Sequence, residues 1–366
     1  MQKLTANDGS SGDRVGTIVA LSGTHLVAEA EADDSYQGSV YVYNVAESGA
    51  TFVLQKVTTH DGSSNVSFGT SVALTGTHLP VGANAEDSNR GSLYMYNVVD
   101  SRAVFVQKVT VNDNTSTFGA QVALSETHLV VGEPWDDQLG HGSGSVYVYS
   151  SSDARATLKQ KITTYDGQCN EDFQDNIALS NTPIAVGAKG DGDLGYMSGS
   201  VYVYSVSDAE FTFVQKVTAN DGSASDLFGA CIALSETHLV VGAPYADDLG
   251  SASGSVYLYT VTDSGATFVQ KITTKDGNSN YGISVALSGS RLVVGENSSQ
   301  GSVHVYNVTD FGTTFVQKVT SNGGSSGDAF GVSVALSDTH LVVAVSLDDG
   351  LGSSSGFVYL ARMFVT

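Results

Sequence analysis

Short runs of β-branched and aromatic residues alternate with polar turns along the whole chain. The stretch from 215 to 272 shows the pattern clearly, with apolar runs at 228–234, 239–244, 255–259 and 267–272. Each run is bounded by Gly, Asp, Asn or Ser, which favour turns. Runs this short predict β-strands, and no stretch shows a helical period of useful length. We therefore expect an all-β protein.

The dipeptide Gln-Lys marks a repeat of about 50 residues, a period typical of propellers and arrays. It occurs seven times, at Gln2, Gln55, Gln107, Gln160, Gln215, Gln270 and Gln317. Four strands per unit and seven units predict a seven-bladed β-propeller of four-stranded blades. We interpret residues 1–366 as a single propeller domain, with repeat units that start near 2, 55, 107, 160, 215, 270 and 317. A β-solenoid is the alternative, but solenoids usually have shorter coils and capped ends.

The two ends of the sequence predict how the ring closes. The last unit stops just after its third strand, at 357–360, and the first unit begins with a fragment of a fourth strand, from Gln2 to Thr5. Pairing of that fragment with the last unit would complete the seventh blade and cover an exposed strand edge. Only Met1 precedes Gln2, so the tail from Met363 to Val365 is an alternative occupant of the remaining space.

One pair of short motifs recurs in register with the strands. Phe-Gly opens the first strand in four units, at Phe68, Phe118, Phe228 and Phe330, and Gly242-Ala243-Pro244 is the best match to a second motif. This pattern resembles the FG-GAP repeat, the blade of integrin α-subunit propellers and of many bacterial and algal surface proteins. The resemblance covers the full chain. It implies a propeller scaffold, protein–protein interaction or adhesion, and an extracellular or cell-surface location.

Integrin-like propellers are expected to bind Ca²⁺ in an Asp-rich loop between the first and second strands. The corresponding turns here read Ser-Gly-Thr-His or Ser-Glu-Thr-His, which is too short to supply six to eight oxygens. Carboxylates lie instead between the second and third strands. They are Asp136, Asp137, Asp191, Asp193, Asp247, Asp248, Asp348 and Asp349. We keep Ca²⁺ as a candidate cofactor at these residues, with plain turn formation as the alternative.

The charge of the chain narrows the choice of partners. Lys and Arg number 16 against 38 Asp and Glu, which gives a net charge of −22. Nucleic acid is excluded as a partner because phosphate binding needs clustered Lys and Arg. Membrane insertion is also excluded, because no apolar run approaches the ~18 residues of a spanning helix. Strand alternation places the acidic loops on one face, so we expect an acidic propeller face.

Three aromatic residues stand apart from the strands. Trp135, Tyr196 and Tyr245 fall in the acidic-face loops of the third, fourth and fifth blades, which are neighbours. Aromatic side chains beside carboxylates suit a protein partner or a glycan. We therefore predict these three residues as ligand-binding residues. Packing within the loops is the alternative.

No catalytic residues are predicted. Two Gly-x-Ser-x-Gly stretches, 323–327 and 352–356, lie in Gly/Ser-rich loops rather than in the strand–turn–helix that this motif requires. The sequence favours a non-enzymatic module for binding or assembly, which acts by adhesion or protein–protein interaction through its acidic face. A carbohydrate-binding lectin is the alternative, and a polysaccharide-active enzyme is the third.

Overall fold

Seven four-stranded antiparallel sheets make up the protein. The computed structural model describes residues 1–6, 8–46, 49–61, 65–99, 102–111, 117–152, 155–164, 173–206, 210–274, 279–321, 327–349 and 353–363. Each sheet is one blade, and its strands follow one another in sequence order in the first six blades. The prediction of an all-β, seven-bladed propeller is confirmed.

The chain begins with β1 (Gln2–Leu4), which belongs to the last blade. Blade 1 holds β2 (Val19–Ser22), β3 (His25–Ala30), β4 (Ser39–Ala46) and β5 (Gly49–Val57). Blade 2 holds β6 (Phe68–Val72), β7 (His78–Ala83), β8 (Ser92–Val99) and β9 (Arg102–Val109). Blade 3 holds β10 (Gln121–Leu124), β11 (His128–Glu133), β12 (Ser145–Ser152) and β13 (Arg155–Thr163).

The remaining blades repeat the arrangement. Blade 4 holds β14 (Phe173–Leu179), β15 (Pro183–Ala188), β16 (Ser200–Val206) and β17 (Phe211–Val217). Blade 5 holds β18 (Cys231–Leu234), β19 (His238–Ala243), β20 (Ser255–Thr262) and β21 (Gly265–Thr273). Blade 6 holds β22 (Tyr281–Ser288), β23 (Arg291–Glu296), β24 (Ser302–Thr309) and β25 (Gly312–Val319). Blade 7 holds β26 (Phe330–Leu336), β27 (His340–Val345), β28 (Phe357–Arg362) and β1.

Two short helices lie in loops, α1 (Asp33–Tyr36) in blade 1 and α2 (Glu86–Asn89) in blade 2. Within the described part of the chain, no helix has the length and apolar character needed to cross a bilayer.

The N-terminal strand closes the ring. β1 pairs antiparallel with β28, with Lys3 opposite Tyr359 and Leu4 opposite Val358. Leu4 is buried in a cluster that joins the first and last blades. Met363 packs in a buried cluster shared by blades 6 and 7, whereas Phe364 and Val365 of the alternative closing tail lie outside the described residues. The predicted pairing of the two ends is confirmed.

The Phe-Gly motif packs its blade against the one before it. In blade 5, Phe228 is fully buried, and its ring meets that of Tyr257 edge-on at a centroid distance of 5.2 Å. Gly229 follows with a φ of +92°, and a Cβ there would lie only 2.5 Å from the carbonyl oxygen of Ser200 in blade 4. Glycine is required because this backbone conformation and this contact both disfavour a side chain. The second motif acts likewise, since a Cβ on Gly242 would lie 2.3 Å from the carbonyl oxygen of Gly282 in blade 6.

Candidate functional site

The loops after the second and fourth strands of each blade share one face of the propeller, which we call the loop face. The loop that leads into blade 5 touches two neighbouring loops directly. Ser225 and Asp226, which precede its first strand, contact the neighbouring loops through Ser225 N to Tyr196 O at 2.8 Å and Tyr245 N to Asp226 O at 3.4 Å. One pair of adjacent residues therefore joins the loops that carry Tyr196 and Tyr245.

In blades 1 to 5, the Lys of the Gln-Lys dipeptide reaches this face across the ring of a Tyr on the third strand. In blade 4, Lys216 Nζ lies 5.3 Å from the centroid of the Tyr202 ring, a distance that suits a cation–π contact. In blade 5, Lys271 lies 5.0 Å from the centroid of the Tyr257 ring. The lysine and the tyrosine are cross-strand partners, which is why both recur in the repeat.

The same lysines bind the aspartates that the sequence suggested as metal ligands. The shortest N–O distances are Lys161–Asp136 at 2.6 Å, Lys216–Asp191 at 2.5 Å, Lys271–Asp248 at 2.5 Å and Lys3–Asp348 at 3.3 Å. Lys216 also contacts Asp193 at 2.7 Å. Asp136 and Asp191 are almost completely buried. An amino group thus stands where a cation would bind these carboxylates.

One carboxylate of each tandem pair has another role, because it caps its own loop. Asp137 accepts a hydrogen bond from Gly142 N at 2.7 Å, and Asp247 accepts one from Ala252 N at 2.7 Å. Asp349 accepts one from Ser354 N at 2.8 Å. Asp137, Asp247 and Asp349 are exposed, so each tandem pair in blades 3 and 7 divides into an inward and an outward carboxylate.

Calcium was the cofactor candidate at these eight aspartates. Within the residues that the structure describes, no group of three or more His, Cys, Asp or Glu side chains is arranged to hold a metal ion. In each of the four loops, a lysine amino group already contacts a carboxylate oxygen. Calcium binding and plain turn formation both stay as predictions for these residues, and the measurement that separates them is given in the Discussion.

A second set of aspartates, in the loops that lead into the blades, also binds these lysines. The sequence indicated only turns at these positions. Asp221, in the Asn-Asp-Gly loop before blade 5, accepts hydrogen bonds from the Tyr257 hydroxyl at 2.9 Å and from Lys271 at 2.6 Å. Burial raises the pKa of Asp221, but the bonds from Lys271 and Tyr257 outweigh it, so the net shift is downward. Burial lowers the pKa of Lys271, and the bonds to Asp221 and Asp248 raise it overall. Asp8 forms the same contacts with Tyr41 and Lys56 in blade 1.

Blade 6 builds the contact differently. Ser299 stands where blades 1, 3, 4 and 7 have Asp, and His304 stands where the other blades have Tyr. The buried Glu296 supplies the carboxylate. Glu296 binds His304 Nε2 at 2.7 Å and Lys318 Nζ at 3.0 Å. Burial raises its pKa, but hydrogen bonds from His304, Ser302 and Lys318 outweigh this and hold the pKa at about 2.

The three predicted ligand-binding aromatic residues are all exposed on the loop face. The exposed fraction is 48% for Trp135, 77% for Tyr196 and 46% for Tyr245. Tyr196 and Tyr245 are brought together by the backbone contacts of Ser225 and Asp226. Trp135 stands in blade 3, where its ring meets that of His141 edge-on at 6.2 Å. Ligand binding by these three residues stays a prediction, beside packing within the loops as the alternative.

Sequence reasoning missed three leucines in the loops that carry these rings. Leu139, Leu194 and Leu249 are large exposed apolar residues in the same loops of blades 3, 4 and 5. The available signal was the repeated Asp-x-Leu-Gly or Asp-Leu-Gly at the loop centre, where a turn needs no apolar residue. Together the six side chains form what we call the apolar arc: Trp135, Leu139, Leu194, Tyr196, Tyr245 and Leu249.

Comparison with known proteins decides the family. The model of the FG-GAP repeat matches residues 1–43, 52–96, 104–149, 157–204, 211–259 and 313–361, which is most of the chain. The chain belongs to the FG-GAP repeat family. The FG-GAP matches leave out 260–312, the stretch that contains Ser299 and His304. The FG-GAP propeller fold suggests a protein-interaction module.

Solved structures support the fold alone. A chain in a structure described as "Crystal Structure of Mitotic Checkpoint Complex" is 13% identical to this FG-GAP protein, with a TM-score of 0.62. The match covers 100% of this chain and 94% of that chain. A comparison with curated proteins gave no match.

Proposed function

We propose that this FG-GAP propeller is a non-enzymatic interaction module that binds a protein partner through the apolar arc. Its place of action is outside the cell or at the cell surface, since FG-GAP repeats are typical of such proteins. The observation that carries the proposal is the exposure of six large apolar side chains in the same loops of three neighbouring blades. Contiguous exposed apolar surface, rimmed by polar residues, is typical of protein interaction sites.

The loops that hold the arc are fixed before any partner arrives. Lys216 and Lys271 tie them to the outer strands, and Asp137 and Asp247 cap them from within. A surface that is already ordered loses less conformational entropy on binding. The fixed conformation of these loops supports a binding role for the arc rather than a role as flexible connecting loops.

The rim of the arc indicates the chemistry of the partner. Asp137, Asp193 and Asp247 are exposed next to the apolar side chains, on a protein with a net charge of −22. A partner surface with an apolar centre and a Lys- or Arg-rich rim complements this face. Such charges mainly accelerate association, so we expect the association rate to fall as the salt concentration rises.

A lectin is the second candidate, and exposed Trp and Tyr rings beside carboxylates favour it. Aromatic rings can stack on sugar faces while carboxylates accept bonds from sugar hydroxyls. A glycan array probed with the wild type and with the variant described next separates the two. Glycan binding that needs the three aromatic residues would replace the protein-partner proposal.

The test is a pull-down from the native source with the triple variant Trp135→Ala, Tyr196→Ala, Tyr245→Ala. Tyr36→Ala is the matched control, because Tyr36 is also an exposed aromatic residue in a loop between second and third strands, in blade 1. We expect the triple variant to lose the captured partner and the control to retain it, both with wild-type melting temperatures. Equal capture by both variants would refute the assignment of the arc.

A further inference from the structure

A histidine begins the second strand in five of the seven blades. These residues are His25, His78, His128, His238 and His340. They lie on the face opposite the loop face, which carries the turns after the first and third strands of each blade and which we call the turn face. The apolar arc lies on the loop face, so the function proposed above uses none of these histidines.

In blade 5 this histidine reaches the next blade. His238 is buried, and its Nε2 lies 3.3 Å from Oδ1 of Asp310, in the hairpin between β24 and β25 of blade 6. In blade 3 the ring of His128 meets the ring of Phe211 in blade 4 edge-on, at a centroid distance of 5.1 Å. An imidazole ring therefore fills the space between two neighbouring blades at this end of the strands, and in blade 5 a carboxylate of the next hairpin meets it.

Blade 4 lacks this ring and contains no histidine. Pro183 holds the position, because it begins β15 and lies opposite Ser205, as His238 lies opposite Thr260. The acidic partner is nevertheless present in the next blade. Asp263 follows the third strand of blade 5 and precedes its fourth, as Asp310 does in blade 6.

A cleft between blades 4 and 5 lies where the ring is missing. It encloses about 300 Å³, part of which is open to solvent. Its apolar lining comes from Pro183, Val203, Val214 and Val261. Glu236 and Asp263 add two exposed carboxylates, and none of the described residues that line the cleft is a Lys or an Arg. Glu236 also accepts a hydrogen bond of 3.0 Å from the side-chain amide of Asn181.

We infer that this cleft binds the imidazolium ring of a histidine side chain that another polypeptide presents to the turn face. Histidine is the side chain that fills the corresponding place in blades 3 and 5, so the repeat itself specifies the size and shape of the occupant. A ring N–H donates to Asp263 as the His238 ring meets Asp310, while the apolar lining contacts the faces of the ring.

The charge of the cleft selects the protonated form of the ring. Two carboxylates without a lysine or arginine beside them favour a cation, and an imidazole becomes cationic near neutral pH. The cleft opens on the turn face, so a partner held there leaves the apolar arc on the loop face free. Loss of binding at one face therefore does not predict loss at the other.

The probe is N-acetyl-histidine N-methylamide, a blocked histidine, titrated against the full protein and followed by ligand-observed NMR. At about pH 6 an imidazole of ordinary pKa, ~6.5, is mostly protonated. Free 4-methylimidazole and the uncharged 4-methylthiazole, a ring of similar shape, are the comparison ligands. We expect saturable binding of both imidazoles and weaker binding of the thiazole. Binding of 4-methylimidazole without binding of the blocked histidine would overturn the polypeptide source.

Asp263→Asn removes the acceptor charge and should weaken binding of the blocked histidine by ~2–5-fold, the effect of one exposed ion pair. Asp310→Asn is the matched control and should bind as the wild type does, because His238 already occupies the place beside Asp310. Both aspartates are exposed, so neither change disturbs the core.

Two further variants move the site. Pro183→His supplies the ring from within the chain and should abolish binding of the blocked histidine. His238→Ala opens the equivalent place in blade 5 and should add a second site, which Asp310→Asn then weakens. No saturable binding, equal binding of the thiazole, no effect of Asp263→Asn, or full binding by folded Pro183→His protein would each overturn the inference.

Discussion

The backbone N–H of Ala103 donates a hydrogen bond of 2.8 Å to Oε1 of Gln55, across the boundary between blades 1 and 2. The same bond recurs between the next four pairs of blades: Ala156 to Gln107, Phe211 to Gln160, Ala266 to Gln215 and Thr313 to Gln270. In blades 1 to 5, the Gln of the Gln-Lys dipeptide therefore joins adjacent blades, and the Lys binds carboxylates of its own blade. The two roles explain why the dipeptide recurs as a unit.

Replacement of one glutamine should weaken one blade boundary. We expect Gln215→Ala to lower the free energy of unfolding by ~1 kcal/mol, since it removes a net hydrogen bond and leaves the N–H of Ala266 without this acceptor. Gln317→Ala is the matched control and should have no measurable effect, because its oxygen has no described partner. Urea unfolding followed by fluorescence measures both. Equal losses of unfolding free energy in the two variants would contradict the role of Gln215 at the blade boundary.

Loss of the lysine should cost more than loss of the glutamine. Lys161→Met removes the cation from Asp136, whose side chain is 1% exposed, and leaves a buried carboxylate unpaired. Breaking a buried pair by removing one partner typically costs ~3–5 kcal/mol. We expect a loss near the lower end, because the side chain of Lys161 is itself 26% exposed.

Two further variants isolate the ion pair. Lys159→Met, on the same strand but exposed, should leave stability unchanged. The double variant Lys161→Met, Asp136→Asn should recover part of the loss, since the buried charge is gone. If the double variant is no more stable than Lys161→Met, the ion pair is not the cause.

The sequence predicted the fold well because its signals are local and repeated seven times. Short strands of three to nine residues, turn residues and Phe-Gly all appear within one unit. The exposure of Trp135, Tyr196 and Tyr245 was also predictable, because the strand pattern leaves no place for these rings. The role of Asp136 was not predictable, since it depends on Lys161, which lies 25 positions later and reaches it across Tyr147.

Closure of the ring should depend on β1. Removal of residues 1–6 exposes the edge of β28 and takes Leu4 out of the core between blades 1 and 7. We expect a lower melting temperature and a tendency to self-associate through the open edge. Met1→Ala is the control, because Met1 is exposed and outside the strand. A truncated protein that melts at the wild-type temperature would contradict the role of β1 in closure.

Calcium can be tested against the observed contacts. Lys161 and Lys216 already bind the inward carboxylates Asp136 and Asp191, so a cation would have to displace an amino group. We expect no calcium-specific change in melting temperature between millimolar Ca²⁺ and EDTA, with Mg²⁺ as the control for charge screening. One occupied site at a hundredfold excess over its Kd would stabilise the fold by ~2.7 kcal/mol. A rise of that size, abolished by Asp137→Asn and Asp247→Asn, would establish the metal site.

Buried Glu29 should make stability fall as the pH rises. Blade 1 has Glu29 where blades 2 to 6 have the Gly of their second motif. The side chain is fully buried, with Ile18 N donating to Oε1 at 2.9 Å. Burial, and then the charge of Glu31, raise the pKa of Glu29 well above its ordinary value of 4.5. Between pH 4.5 and its higher pKa in the folded state, Glu29 is therefore protonated in the folded protein and ionised in the unfolded chain.

The sign of the effect follows from this difference. Below pH 4.5 both states are protonated and the full stability is present, and it declines as the pH rises from there through the higher folded pKa. Glu29→Gln keeps an acceptor for Ile18 N and removes the titration. We expect the variant to match the wild type at pH 4 and to melt at a higher temperature at pH 7. Comparing the two proteins at each pH cancels the contribution of the other carboxylates. A constant difference between them across this range would show that Glu29 does not change its protonation on unfolding.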